Sequence, residues 1–215
     1  LQLVNISFAH FSSLSNEIKG DLIDYHADEN DGFIGLYDAF HHGIKAVLTL
    51  NIVFSVFRAE KDPLRKFAAA NQILQHFHSE NLCSAATLVL SQAGGLRVFT
   101  AGNPPPLHFS PAFCRHLPDE KTGPLGLNKT TSDFSIKLGN GEMLLISTNG
   151  LYKAFAELKI DIDEFLRENA VSAEKCRDRI VSELGRLLKP GFSDDITFLI
   201  AGHDNDNNQK NQQTN

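Results

Sequence analysis

The chain has 215 residues, 42% hydrophobic and 21% charged, with 26 Asp and Glu against 20 Lys and Arg for a formal charge of −6. This is globular composition, which excludes general disorder, and the acidic surplus argues against a dedicated nucleic-acid binder, since such proteins gather Lys and Arg toward phosphates. Cys83, Cys114 and Cys176 form neither a CxxC pair nor an even framework, and no apolar run approaches the ~20 residues of a bilayer span, so the expectation is a cytoplasmic protein with no membrane or nucleic-acid partner.

No composition break divides the chain, and a single domain is expected over residues 1–202. The polar, aromatic-free run from His203 to Asn215 reads as a disordered tail. A start at Leu1 instead of Met is what an excised domain would show, with further sequence upstream. Three strands are expected first, in "LQLVNISFAHF", "DLIDYHA" and "GFIGLYDAF", with an acidic turn at Glu29 to Gly32.

From His42 to Arg58 a Pro-free run reads as a buried helix with Ile44, Val47, Leu48, Ile52 and Val56 inward, although its β-branched residues keep strand as the competitor. Asp62 before Pro63 is an N-cap and first-turn pair. It opens a second helix, with Leu64, Phe67, Ala70, Leu74 and Phe77 on one face and His76 and His78 toward solvent.

"SAATLVLSQ", "AGG" and "LRVFTAG" read as a hairpin whose turn uses the positive φ open to Gly94 and Gly95. "GNPPPLHF" supplies a rigid loop and a strand, followed by strands in "DFSIKLG" and "EMLLIST" joined across Gly139 to Gly141. Helices return over Gly150 to Leu188, with capping acids at Asp161 and Glu164 and a final apolar face of Cys176, Ile180, Leu184 and Leu187, ended by Gly191; "DDITFLIAG" closes the chain as a strand. This order lacks regular βαβα alternation, so two stacked antiparallel sheets covered by helices are expected, an α+β class.

Acidic residues stand where strands are expected to end: Asp21 and Asp24 in "GDLID", Asp38 in "LYDAFHHG", Asp194 and Asp195 in "SDDIT". Carboxylates on rigid strand ends can converge on a hard cation, which prefers oxygen ligands, although a single such Asp more often serves a turn or a cap. His41 and His42 admit a reading as ligands or a general acid, but adjacent helical residues diverge too far to share one ion. No HExxH, nucleophile elbow or phosphate-binding loop is present.

Taken in order, "GDLID", "DAFHHG", "AGNPPPL", "GPLGL", "EMLLISTNGLYKA" and "DDIT" resemble the bacterial metal-dependent protein phosphatases of the PP2C superfamily, in the branch that contains SpoIIE and RsbU. The resemblance implies a four-layer αββα sandwich with two Mg²⁺ or Mn²⁺ ions between the sheets. By motif position it makes Asp38 the residue that bridges both ions and gives Asp21 and the Ala39 carbonyl to one of them. Asp194 goes to the other ion, and His42 takes the place of the motif histidine, a positioning role.

The remaining ligand stands at the first position of a strand-end "DG", which is Asn149 here. An amide keeps an oxygen but loses a charge, so affinity at that place is expected to fall. His41 stands where the pattern has glycine, and backbone strain is expected there. The implied function is direct hydrolysis of phosphoserine or phosphothreonine in a protein such as an anti-sigma-factor antagonist, with a receiver or sensor domain upstream. The alternative is a pseudophosphatase that binds a regulator without turnover.

Overall fold

The computed structural model describes residues 6–13, 20–27, 31–77, 82–91, 95–117, 122–127, 131–186 and 194–203. The first three strands are β1 (Ile6–Ser13), β2 (Asp21–Ala27) and β3 (Asp31–Ala39), so Asp31 and Gly32 of the expected turn belong to a strand. Helices α1 (Ile44–Ala59) and α2 (Pro63–His76) follow, then strands β4 (Cys83–Ser91), β5 (Leu96–Ala101), β6 (Leu107–Ser110), β7 (Phe113–His116), β8 (Ser132–Ile136) and β9 (Met143–Ser147). Helices α3 (Asn149–Leu158), α4 (Ile162–Glu168) and α5 (Ala173–Leu184) precede β10 (Ile196–His203), which extends one residue into the expected tail; the remainder of that tail lies outside the described residues.

The strands form two antiparallel five-stranded sheets, ordered β1-β10-β9-β6-β7 and β2-β3-β4-β5-β8. Three apolar clusters stack through the molecule. Phe57 of α1 and Phe67 of α2 pack on Tyr37, Val89 and Phe99 outside the second sheet. Leu36, Leu88, Val98, Leu144, Ile146 and Leu199 fill the space between the sheets. Leu151, Phe155, Leu166, Cys176 and Ile180 from α3, α4 and α5 cover Phe109, Leu145 and Phe198 outside the first sheet. These layers make the expected four-layer αββα sandwich.

Several local expectations need correction. The apolar stripe assigned to α1 is split: Ile44 is 71% and Leu48 60% exposed and Val47 is exposed with them, Ile52 and Val56 are half-buried against the second sheet's outer core, and Ala46, Thr49, Leu50, Val53 and Phe57 are the buried residues. The helix carries apolar residues on two sides, and the side with Ala46 and Thr49 allows the closer approach to the sheet. In α2, Asp62 caps as expected by accepting from the Arg65 N–H at 2.9 Å, but Leu64 and Phe77 are exposed, and Lys66 is buried in their stead, donating to the Phe57 carbonyl at 2.6 Å.

β8 and β9 belong to different sheets, so the turn at Gly139 to Gly141 crosses between layers. The hairpin of β4 and β5 forms, but Gly95 has no positive φ, and Gly94 lies outside the described residues, as do His78, Leu187 and Gly191. Cys83 and Cys176 are buried and Cys114 half-buried, and all three are free thiols. Among the described residues no helix is long and apolar enough to cross a membrane.

Candidate metal centre

Strand parity decides which acids can meet, because successive side chains on a strand point to opposite faces. On β2, Leu22 packs toward α1 and Ile23 enters the space between the sheets, so Asp21 shares the inner face with Ile23. On β3, Tyr37 and Ala39 lie outward and Leu36 inward, which puts Asp38 on that same inner side. Register then sets Asp21 directly opposite Asp38.

Two like charges so placed repel. Burial, followed by the charges of Asp21 and Asp194, pushes the Asp38 carboxyl up from 3.8 to about 8, while the Ser84 hydroxyl and Lys153 act the other way. Ser84 Oγ, from the neighbouring strand β4, donates to Asp38 Oδ2 at 3.4 Å. Next along the chain, the Ala39 N–H donates to the Gly20 carbonyl at 2.8 Å, fixing the end of β3 against the start of β2.

The other sheet reaches across with two bonds. Thr148, fully buried just beyond β9, donates from Oγ1 to Asp21 Oδ2 at 3.0 Å and accepts from the Thr197 N–H at 3.2 Å. Buried Asp195 accepts from the Gly20 N–H at 2.6 Å. Both contacts join one sheet to the other at the same end of the sandwich, so Asp21 is held by its own strand and by the opposite layer.

Helix α3 starts immediately at this edge. A Cβ on Gly150 would come within 2.0 Å of the Asp195 carbonyl oxygen, so glycine is what lets the helix begin directly against the approach to β10. Exposed Asn149 immediately precedes this contact in the chain. One turn along, Lys153 Nζ donates to Asp194 Oδ2 at 2.5 Å.

The residues singled out in the sequence separate into two groups. Asp21, Asp38, Asp194, Asp195 and Asn149 are gathered at this end, with Ala39 following directly on Asp38. Asp24 is not part of it: it lies inside β2 on the outward face, where Arg58 of α1 grips both its oxygens and His26 stands 3.8 Å away. His42 is exposed in the turn before α1 and makes no hydrogen bond or ion pair among the described residues. The strain expected at His41 is absent, because Gly43 carries the positive φ of the "HHG" triplet, at 71°. Thr148, Ser84, Lys153 and the Asp195–Gly20 contact were missed; polar residues at strand ends and a lysine on a helix give no signal until the second sheet is in place.

Asp21 and Asp38 oppose each other, the Ala39 carbonyl follows, and a cation would relieve the repulsion that raises Asp38; this all-oxygen set fits a hard ion. Among the described residues no three His, Cys, Asp or Glu side chains are grouped so as to hold one metal. The other set, Asp38, Asn149 and Asp194, fits less well: one donor is neutral and another is already ion-paired.

The comparisons agree with the architecture. The chain matches the family described as Stage II sporulation protein E (SpoIIE) over residues 29–204. No curated protein sequence matches it. Among solved structures, the RsbU and RsbW domains of Rv1364c from Mycobacterium tuberculosis share the fold at TM-score 0.74 and 22% identity, over 94% of this chain and 61% of that one.

The PP2C phosphatase domain of SpoIIE from Bacillus subtilis, with a fragment of its regulatory domain, does so at TM-score 0.73 and 13% identity, over 92% of this chain and 63% of that one. RsbX in complex with magnesium matches at TM-score 0.69 and 16% identity, over 92% of this chain and 94% of that one. The chain thus spans about three-fifths of the length of the first two structures. With residues 29–204 matched and the layered sandwich in place, the chain belongs to the SpoIIE family of PP2C-type domains.

Proposed function

We propose that this domain is a divalent-metal-dependent phosphoserine/phosphothreonine protein phosphatase of bacterial signalling. The observation that carries the reading is the direct opposition of Asp21 and Asp38 across β2 and β3, at the end where the other sheet supplies Thr148 and Asp195. Opposed carboxylates, Asp21 buried and Asp38 half-buried, are costly on their own and become useful around a cation. Asp21, Asp38 and the Ala39 carbonyl would hold Mg²⁺ or Mn²⁺, with Asp38 shared toward a second place formed with Asn149 and Asp194. A bound ion of this kind supplies Lewis-acid polarisation of water and of the phosphoryl oxygens.

The chain's own residues set the geometry. Thr148 orients Asp21 by donating to one of its oxygens, and Ser84 does the same for Asp38. The bond from the Gly20 N–H to Asp195 keeps the two sheet ends at a fixed separation. His42, exposed at the entrance to α1, is assigned to positioning the phosphoprotein at the mouth of the site.

By family analogy the substrate is a phosphorylated anti-sigma-factor antagonist, the setting is cytoplasmic, and the domain is the output of a longer regulator with an upstream receiver or sensor. The test is Mn²⁺-dependent release of phosphate from such a phosphoprotein, which Asp38→Asn abolishes. The second reading, a pseudophosphatase that binds a regulator, is favoured by the amide at Asn149 and the ion pair on Asp194. It predicts phosphoprotein binding without release of phosphate, and turnover gained in Asn149→Asp.

A further inference from the structure

Lys153 has no role in the reading above, yet it stands at the site's edge. It lies four residues after Asn149 on α3, and residues so spaced share one helix face. The tight start of α3 against Asp195 brings that face to Asp194, and the Lys153 ammonium donates to Asp194 Oδ2 at 2.5 Å. Asp194 is mostly covered, with 20% of its side chain exposed, so this partner occupies a carboxylate that solvent reaches poorly.

The charge count at this place is changed twice over. Asp38, Asn149 and Asp194 are the donors that the family resemblance assigns to a second ion; one of them is an amide, and another is already neutralised by an ammonium. A divalent ion binding at Asp194 would have to displace Lys153 and then remain beside its charge. At Asp21 and Asp38 both ligand positions keep their carboxylates, and the hydroxyls of Thr148 and Ser84 donate to them.

We infer that Lys153 serves as a built-in cation in the place of a second metal, so that the domain holds one divalent ion, at Asp21, Asp38 and the Ala39 carbonyl, with the ammonium balancing Asp194. This rests on the reading of the site as metal-dependent and changes its stoichiometry. The arrangement gives a fixed positive charge beside the place where a phosphoryl group would be bound, without the concentration dependence of a second free ion.

The experiment measures Mn²⁺ bound per chain by equilibrium dialysis with metal analysis, together with the electron paramagnetic resonance of the bound ion. The unaltered protein is expected to hold one Mn²⁺ with an uncoupled signal, as is Lys153→Arg, which keeps the charge. The double variant Asn149→Asp with Lys153→Met is expected to hold two at the same free Mn²⁺, with a spin-coupled signal. Both side chains are exposed, so the variant is expected to fold, and circular dichroism is the check on that.

Two coupled ions in the unaltered protein would overturn the inference and leave the metal-dependent reading standing. One ion in the folded double variant would also overturn it, since removing the ammonium would then have opened nothing. No bound Mn²⁺ in either protein would remove both the inference and the reading beneath it.

Discussion

Gly150→Ala is the sharpest structural test of how the site edge is built. The added Cβ would lie 2.0 Å from the Asp195 carbonyl oxygen, more than an ångström short of ordinary contact, and the obstacle is backbone, which cannot rotate away. Helix propensity alone would favour alanine by ~1 kcal/mol. Overpacking costs ~1–3 kcal/mol and occasionally more, and a contact this short belongs at the upper end of that range.

The net expectation is a loss of about 2 kcal/mol, or a fall in Tm of roughly 4–8 °C for a domain of this size. Gly32→Ala is the control, since its nearest atom would be Leu90 Cβ at 3.9 Å; a small gain of ~0.4–1 kcal/mol is expected there from the stiffer unfolded chain. Urea unfolding with a comparison of slopes measures both. The reasoning is refuted if Gly150→Ala matches the unaltered protein with an unchanged slope. A displaced α3 also carries Lys153 away from Asp194, so the same variant should bind a second Mn²⁺ more readily than the unaltered protein.

Two further outcomes follow from the site. Thr148→Val keeps the volume but removes the hydroxyl that donates to Asp21 and accepts from the Thr197 N–H. A loss of ~1–3 kcal/mol is expected, with weaker Mn²⁺ binding in calorimetry, whereas Thr148→Ser should retain most of both. For Asp38, a folded value of about 8 above an ordinary 3.8 means that the native state holds a proton the unfolded chain has released. In chelator, stability should therefore decline as pH rises from about 4 toward about 8, and Mn²⁺ should flatten that slope by favouring the charged form; denaturant titrations at several pH values measure it.

Much of the layering was legible because the physical signals were local. Strands buried on one face or both, Asp62 before Pro63, and the cap at Asp161 act within a few residues of themselves. The face of α1 was not legible, because Ile44 and Leu48 are as apolar as Leu50 and Val53, and only the sheet's need for small residues at Ala46 and Thr49 breaks the tie. β7 was missed for a related reason: Phe113–His116 is a four-residue edge strand that buries neither face fully.

The acids show where sequence reasoning stopped short of what it held. Asp21 and Asp24 are three apart on one strand and must face opposite ways. Parity alone therefore excludes a shared site, and Arg58 on Asp24 is what the outward face provides. What parity cannot supply is the partner layer. Thr148 follows β9 and Asp195 precedes β10 in the first sheet, Gly20 and Asp21 stand at the start of β2 in the second, and the Thr148–Asp21 and Gly20–Asp195 bonds span 127 and 175 residues of chain.

Ordered motifs carried that information only as a resemblance, and a motif reports the residues that are usual at a place, not the neighbour that has changed. Asn149 was visible as a departure because it falls inside a motif. Lys153 lies in the same motif but at no position that the resemblance assigns to a ligand, and its meaning depends on a contact with Asp194 that exists only once α3 is seated against β10. On the one-ion inference, the amide at Asn149 and the ammonium on Asp194 act in the same direction, each lowering the negative charge that a dication would meet at that place.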